Sequence, residues 1–403
     1  MRQSPDFDIR LDTLCQGYDK VTCWVQARAG TIPVGAAGNP SHPIVVLTMQ
    51  KLLLAGSDVF YELTEMRTDD LGVHWRGPTP HPHTLGRRSE PGGIEVVMCD
   101  ATPKWHAATG TLLSTGHEAR YLGDRLMPEP RPRRPAYAVY DPVKRAWHPW
   151  QTMELPDADG AFFSAGAGSA QRVDLANGEI LLPLYCRGRD AGLPSRSALP
   201  GTGSEAGHSC CFATVARCRF DGKTLAFVEH GNTLTVSEPR GFCEPSLTLF
   251  RNRYYLTLRN DVRGYVAVSD DGLHFEDPLA WCFDDGAELG NYNTQQHWVT
   301  HADGLFLVYT RRDAANDHVF RHRAPLFIAQ VDPERLVVIR DTERILVPEH
   351  GARLGNFAVT HVNADETWVT VSEWMQPPGC ERFGSDNRVY AARIIWACPN
   401  TQD

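Results

Sequence analysis

Ala267-Val268-Ser269-Asp270-Asp271-Gly272-Leu273-His274-Phe275 decides the reading of this chain, together with Thr68-Asp69-Asp70-Leu71-Gly72-Val73-His74-Trp75. In each, a strand-like run gives way to a hydroxyl residue, an Asp and a Gly shortly before an aromatic. An Asp carboxylate accepts N–H bonds across its own turn, and Gly supplies the φ > 0 position such a turn requires. The aromatic then folds back onto the sheet, which makes the unit a self-contained hairpin corner. Two such corners in one chain point to a module used repeatedly.

Strand-like runs dominate around these corners, among them Tyr254-Tyr255-Leu256-Thr257-Leu258, Leu305-Phe306-Leu307-Val308-Tyr309 and Thr367-Trp368-Val369-Thr370-Val371. Gly (34) and Pro (28) are spread along the whole chain, as many short turns require. The later part contains a direct echo. Leu289-Gly290-Asn291-Tyr292 leads to Val299-Thr300-His301 and a strand, and Leu354-Gly355-Asn356-Phe357 leads to Val359-Thr360-His361 and a strand. Six repeats follow, at roughly 43–90, 94–155, 161–236, 237–288, 289–350 and 354–398, each the size of a four-stranded blade with its loops. The expected fold is therefore all-β: a six-bladed β-propeller of four-stranded antiparallel blades, one domain over residues 1–403. Segment 8–35, with Val21-Thr22-Cys23-Trp24-Val25, is expected to close the ring against the last blade. A seventh blade assembled from both termini is the alternative.

Composition narrows the function. A net charge of −9 argues against nucleic acid as the partner. No apolar run approaches the roughly 20 residues that cross a bilayer, so no membrane partner is expected. The first residues lack the apolar core of a secretion signal. Eleven cysteines, scattered without metal-like spacing, read as free thiols of a reducing compartment, so the expected location is cytoplasmic and no cofactor is expected.

In a propeller blade the first strand lines the channel and the second returns antiparallel to it, so the start of the first and the end of the second share one face. This rule gathers Trp105, His106, His117 and Arg120 from the second repeat, and Gln171, Tyr185 and Arg187 from the third. From the fourth come Glu244, Arg259 and Asn260. The fifth adds Asn291, Asn293, Gln296, His297, Tyr309, Arg311 and Arg312, and the sixth Asn356, Glu373 and Trp374. Long irregular segments, 188–209, 312–325 and 375–388, leave from the same ends, and 313–323 contributes His318, Arg321 and Arg323. Arginine presents a planar fork suited to carboxylate or sulfate, and aromatics such as Tyr185, Tyr292 and Trp374 stack on sugar faces. The expected ligand is an acidic carbohydrate. His106, Glu244 and Tyr185 are the candidate catalytic residues. His117, Arg120, Arg259, Asn291, Gln296, His297, Arg311, His318, Arg321, Arg323 and Trp374 are the candidate substrate-binding residues.

No metal site is expected. His318 and His322 have the spacing of metal ligands on a helix, but no helix is evident there. Among His208, Cys210, Cys211 and Cys218, strand alternation puts Cys210 and Cys211 on opposite faces, so packed thiols are the plainer reading. Asp70 and Asp271 are read as turn caps.

Thr68-x-Asp70-x-Gly72-x-x-Trp75 resembles the Asp-box (BNR repeat) of the sialidase-like β-propeller superfamily, and Ser269-x-Asp271-Gly272-x-x-Phe275 resembles a shortened version. Glu244-Pro245-Ser246-Leu247, followed by a strand ending in Leu258-Arg259, is similar to the Glu-Pro segment and arginine of sialidases. The similarity extends over about residues 40–400. Where sialidases carry an Arg-Ile-Pro segment near the start of the first blade, the matching stretch reads His42-Pro43-Ile44-Val45-Val46. Lys104-Trp105-His106, His117 and the Asn316–Arg323 loop look more like related propellers that act on uronate-containing polysaccharides, such as ulvan-type lyases and α-L-rhamnosidases working next to glucuronic acid. The resemblance implies a glycoside hydrolase that cleaves at or beside a carboxylated sugar (uronate or sialate). A His, with Tyr, would do the proton chemistry while Arg and Asn hold the acid. The alternatives it leaves open are a polysaccharide lyase acting by β-elimination, a non-catalytic glycan-binding propeller and an exo-α-sialidase.

Overall fold

The computed structural model describes residues 5–36, 41–189 and 211–401. Six antiparallel sheets are arranged as the blades of a propeller. Blade 1 runs outward from Thr22–Ile32 through Ile44–Leu53 and Phe60–Thr68 to Arg76–Pro80. Blade 2 starts with Ile94–His106 and Thr111–Leu122, blade 3 with Ser164–Gly166, Val173–Asp174 and Ile180–Arg187, and blade 4 with Cys243–Phe250 and Arg253–Arg259. Blade 5 starts with His297–His301 and Gly304–Tyr309, blade 6 with Ala358–Asn363 and Glu366–Ser372. No helix among the described residues is long and apolar enough to cross a membrane.

One boundary differs from the sequence reading. Segment 8–35 holds two strands, not one. Phe7–Cys15 pairs antiparallel with Val389–Trp396 and completes blade 6, whereas Thr22–Ile32 is the innermost strand of blade 1. Blade 1 thus begins some twenty residues before the first repeat recognised in the sequence. The strand expected around Val21–Val25 is present but opens blade 1 instead of closing the last blade; buried along nearly its whole length, with Gln26 and Arg28 among apolar residues, it shows no clean alternation to mark its place.

Alternation along the strands builds the core. Val45 packs toward blade 6 and Val46 toward blade 2; Leu112 faces blade 1 and Leu113 blade 3; Leu181 faces blade 4 and Leu182 blade 2. Each of the six blade junctions has its own apolar cluster. Strands covered on both faces need not alternate polar with apolar, which explains the continuous runs that marked them as strands.

The two corners that opened the sequence reading join the third and fourth strands of blades 1 and 4. Asp271 accepts N–H bonds from Leu273 (2.8 Å) and His274 (2.7 Å), and Ser269 Oγ accepts from Gly272 (2.9 Å). Asp70 accepts from the His74 backbone at 2.9 Å, and that bond, with the His74 ring, holds its carboxyl down at about 2. Gly272 is required twice over: its φ is +75°, and a Cβ there would lie 2.5 Å from Leu181 Cδ1. Both corners lie on the face opposite the ends of the second strands.

Phe7 carries the ring closure into the core, edge-on to Phe306 (5.7 Å) and Trp396 (5.4 Å) at the junction of blades 5 and 6. Phe7→Ala is expected to destabilise the fold by about 3–5 kcal/mol in equilibrium urea unfolding. A cost under about 1 kcal/mol would show that the N-terminal strand does not hold the ring shut.

Candidate functional site

Six innermost strands converge on the axis with one edge unpaired, so their backbone groups need polar partners. The channel supplies them. The Gln171 carboxamide donates to Trp298 O (2.9 Å) and accepts from Trp298 N (2.7 Å), joining blades 3 and 5. Gln26 Oε1 accepts from Asp100 N at 2.8 Å. Arg28, fully buried, donates to Asp100 O (3.1 Å), Asp100 Oδ1 (2.8 Å), Thr102 Oγ1 (3.2 Å), Ser169 Oγ (2.8 Å) and Gln295 Oε1 (3.3 Å). One guanidinium therefore ties blade 1 to blades 2, 3 and 5.

Each of the first five blades places a non-glycine residue at positive φ in or just ahead of its innermost strand: Gln26 (56°), Asp100 (52°), Ser169 (58°), Glu244 (43°) and Asn293 (55°). At Gln26, Asp100 and Glu244 the pairing register slips, as in a β-bulge. A bulge re-aims a side chain that alternation would have sent into a blade junction. These residues are how the fold delivers polar groups to its axis.

Above this plug, the starts of the innermost strands and the ends of the second strands form a mouth. Glu244 and Arg259 pair at 2.6 Å, 15 residues apart in sequence and adjacent in blade 4. Burial alone would raise the Glu244 carboxyl, but Arg259, with Arg240 and Arg323 behind it, holds it below the usual range. Arg259 also donates to Asn293 Oδ1 (3.1 Å), which accepts from Arg323 as well (2.9 Å). Arg323 is buried, has no carboxylate within ion-pair distance among the described residues, and is pushed well below the usual guanidinium range by burial, Arg259 and Arg353. Arg353 is the same case: buried between Trp374 (4.4 Å) and Phe320 (5.3 Å), its guanidinium donates, among the described residues, only to Gln376 Oε1 (3.4 Å) and is held down at about 10 by burial. Exposed Arg321, at φ 59°, lies within electrostatic reach of Arg259 and Asp261.

The other side of the mouth holds Tyr185 and His117. The Tyr185 hydroxyl is 3.3 Å from His117 Nδ1 and accepts from Arg133 Nη1 (3.1 Å), whose guanidinium lies 4.2 Å from the Tyr185 ring centre. Burial pushes the phenol up and, with Arg133 and Arg28, pushes the imidazole far down. Burial and the two arginines thus favour the neutral imidazole beside the Tyr185 hydroxyl.

Several expected site residues are elsewhere. His106 is at the far end of its strand, on the opposite face, where Thr109 Oγ1 (2.9 Å) and Gly178 O (3.0 Å) take both ring nitrogens. The innermost strand of blade 2 starts at Ile94, not near Trp105, so Trp105 and His106 end the strand instead of beginning it. Arg120 is bound by Glu90 (2.7 Å) and Glu118 (2.9 Å), and Arg311 by Glu343 (2.7 Å). Asn291, Gln296 and His297 belong to the buried channel, His297 bonding Ser246 Oγ at 2.8 Å. Trp374 is buried under Arg353 and offers no open face, and His318 pairs with Glu349 at 3.0 Å. His208, Cys210 and most of segment 188–209 lie outside the described residues.

Arg28, Asp100, Arg133 and Arg353 are site residues that the sequence reading does not name. Arg353 directly precedes the repeated Leu-Gly-Asn element, a signal that was available. His42-Pro43-Ile44 leads into the second strand of blade 1, while the innermost strand of that blade carries Arg28. His322 bonds Tyr292 (2.6 Å) and Asp317 (3.2 Å), apart from His318. Cys99, Asp100 and His117 bring three donor atoms within 4.8 Å of one another. Arg28 on Asp100 and Arg133 beside His117 make that spot electropositive, the opposite of what a cation needs.

Solved structures similar to this chain share its fold. A Dyadobacter fermentans protein of unknown function superposes with a TM-score of 0.63 at 14% identity, covering 96% of this chain and 99% of that one. Trypanosoma rangeli sialidase gives 0.59 at 12% identity over 98% of this chain, which spans only 60% of that protein. A Hadza microbial sialidase gives 0.60 at 10%, covering 95% and 68%. No protein-family model and no curated protein matches the sequence. The fold these solved structures share with the chain is the six-bladed β-propeller.

Burial, with Arg28 nearby, pushes the His297 imidazole down to about 3. The unfolded chain takes up that proton near pH 6.5, so across the intervening window it binds more protons than the folded chain. Stability is full above about pH 6.5 and falls as the pH drops, by up to roughly 1.4 kcal/mol per unit from this group. His297→Gln should flatten the acid limb of a stability–pH curve measured by chemical denaturation; an unchanged slope would mean the imidazole is not held neutral.

Proposed function

We propose that the protein is a carbohydrate-active enzyme that cleaves a glycosidic bond at or beside a carboxylated sugar. The observation that carries this reading is the pair of buried arginines without a carboxylate partner among the described residues, Arg323 and Arg353, with exposed Arg321 beside them and the Glu244–Arg259 pair adjacent. Holding a guanidinium away from water without a counter-charge costs stability, and a ligand carboxylate would offset that cost with charge-assisted hydrogen bonds. The neighbours support the choice of ligand: Trypanosoma rangeli sialidase is described in complex with sialic acid, a carboxylated sugar.

In this reading Arg323, Arg353 and Arg321 hold the carboxylate, with Arg259 behind them. Glu244, kept anionic by Arg259, stabilises the positive charge that develops on a sugar ring during hydrolysis. For hydrolysis, a water adds to the anomeric carbon as the glycosidic C–O bond breaks; the Tyr185 hydroxyl, oriented by His117, gives its proton to the leaving oxygen and regains one from that water. The Tyr185–His117 bond also favours a second route, β-elimination. There the arginines neutralise the carboxylate, the adjacent C–H becomes more acidic, and Tyr185 takes up that proton as its own hydroxyl proton passes to the leaving glycosidic oxygen.

A panel of uronate- and sialate-containing oligosaccharides tests this. Release of a reducing end without new absorbance identifies hydrolysis, and an unsaturated product that absorbs in the ultraviolet identifies elimination. Arg323→Ala should lower kcat/KM on the acidic substrate by about 100-fold, and Tyr185→Phe should remove most of kcat with little change in KM. If the neutral, carboxyl-reduced substrate were turned over as fast as the acidic one, the proposal would fail.

A further inference from the structure

Arg133 stands three blades away from Arg353, at the junction of blades 2 and 3. Its backbone is stitched across that junction: Arg133 N donates to Phe163 O (3.3 Å), and Ala165 N donates to Arg133 O (2.9 Å). The main chain thus fixes where its side chain starts, at the entry of the innermost strand of blade 3. The guanidinium leans on Tyr185, and Nη1 donates to the phenol oxygen. Gly166 accommodates it, since a Cβ there would lie 3.3 Å from Arg133 Nε and 3.0 Å from His117 Cβ.

The charge around it is not balanced. No carboxylate among the described residues lies within ion-pair distance of Arg133. The acids nearest in the fold are taken: Glu129 by Arg131 (3.1 Å) and Arg187, Asp100 by Arg28 (2.8 Å). Nε is buried without a partner, and Nη2 makes no hydrogen bond among the described residues. A neutral phenol satisfies one N–H and no charge. Arg133 is half-buried where Arg323 and Arg353 are buried, but like them it has no carboxylate within ion-pair distance among the described residues, on the far side of Tyr185 and Glu244.

We propose that Arg133 forms a second anion subsite, so that the substrate carries two anionic groups, one at Arg323 and Arg353 and another on the adjoining sugar at Arg133. The inference rests on reading the mouth as an acidic-sugar site. The second group is an oxyanion, sulfate ester or carboxylate, because either accepts from a guanidinium edge. A neutral neighbouring sugar would leave Arg133 as poorly compensated as it is in the free protein.

Calorimetric titration of the full chain tests this with three non-cleavable, thio-linked disaccharides. One carries a uronate beside an unmodified sugar, one a uronate beside a sulfated sugar, and one two uronates. The sulfated or the doubly carboxylated form should bind about 10- to 100-fold tighter than the singly charged one, and which of them gains identifies the oxyanion. Arg133→Gln should cancel that gain while leaving the singly charged ligand within about threefold, Arg133→Lys should keep part of it, and Arg323→Gln should weaken all three. Equal binding of the three ligands by the unaltered protein overturns the second subsite whether or not Arg133→Gln folds, as does an equal loss for all three in that variant. Those results leave the acidic-sugar reading standing. Failure of every acidic ligand to bind overturns both.

Discussion

Arg28 sits on the propeller axis with its guanidinium shared among Asp100, Thr102, Ser169 and Gln295. A ring of sheets has a weakness at its centre, where strand edges converge without a backbone partner and too little apolar surface is available to fill the gap. Five hydrogen bonds from the two terminal nitrogens of one buried cation answer that need, and Asp100 supplies the counter-charge. Gln295 extends the network to blade 6 by donating to Phe357 O. Gln171, Ser246 and His297 complete the plug from blades 3, 4 and 5. Because the blades are otherwise held together by apolar clusters at their junctions, this polar hub sets their common register at the axis.

The mouth depends on that floor. Asp100, bonded to Arg28, lies beside His117, and His117 bonds the Tyr185 hydroxyl. The positive-φ residues that let polar side chains reach the axis also place Glu244 against Arg259 and Asn293 between Arg259 and Arg323. Left-handed backbone at a non-glycine residue costs of order 1 kcal/mol and persists only where the surroundings enforce it. Its recurrence in five blades at one level ties the strain to assembly of the centre, not to any single turn.

Charge is distributed unevenly. The chain is acidic overall, with a formal charge of −9, yet its mouth gathers arginines faster than carboxylates. Away from the mouth, Arg120, Arg134, Arg311 and Arg393 each meet Glu residues. At the mouth, Arg133, Arg323 and Arg353 meet no carboxylate within ion-pair distance among the described residues. A paired cation is already compensated, whereas an unbalanced cation out of water is a stored attraction for an anion. That contrast, more than the number of arginines, separates the binding face from the rest.

The sequence by itself determined the fold class and the number of blades. Turn chemistry at Asp70 and Asp271, the Leu-Gly-Asn echo and the spacing of strand runs are local properties, written within a few residues of each other. It also brought Glu244 and Arg259 together, because two antiparallel strands joined by a tight turn leave no freedom in where they meet. Only the tertiary structure decided which strand came first in blades 1 and 2, and so which face received His106. It also decided which arginines were neutralised. Both depend on partners far apart along the chain: Phe7–Cys15 against Val389–Trp396, Arg28 against Asp100, Arg311 against Glu343. A bulge shifts a side chain from one face to the other without any change of residue type, and an arginine carries the same letter whether or not a carboxylate reaches it. Those outcomes are fixed by long-range packing and by the Coulomb interactions that packing permits.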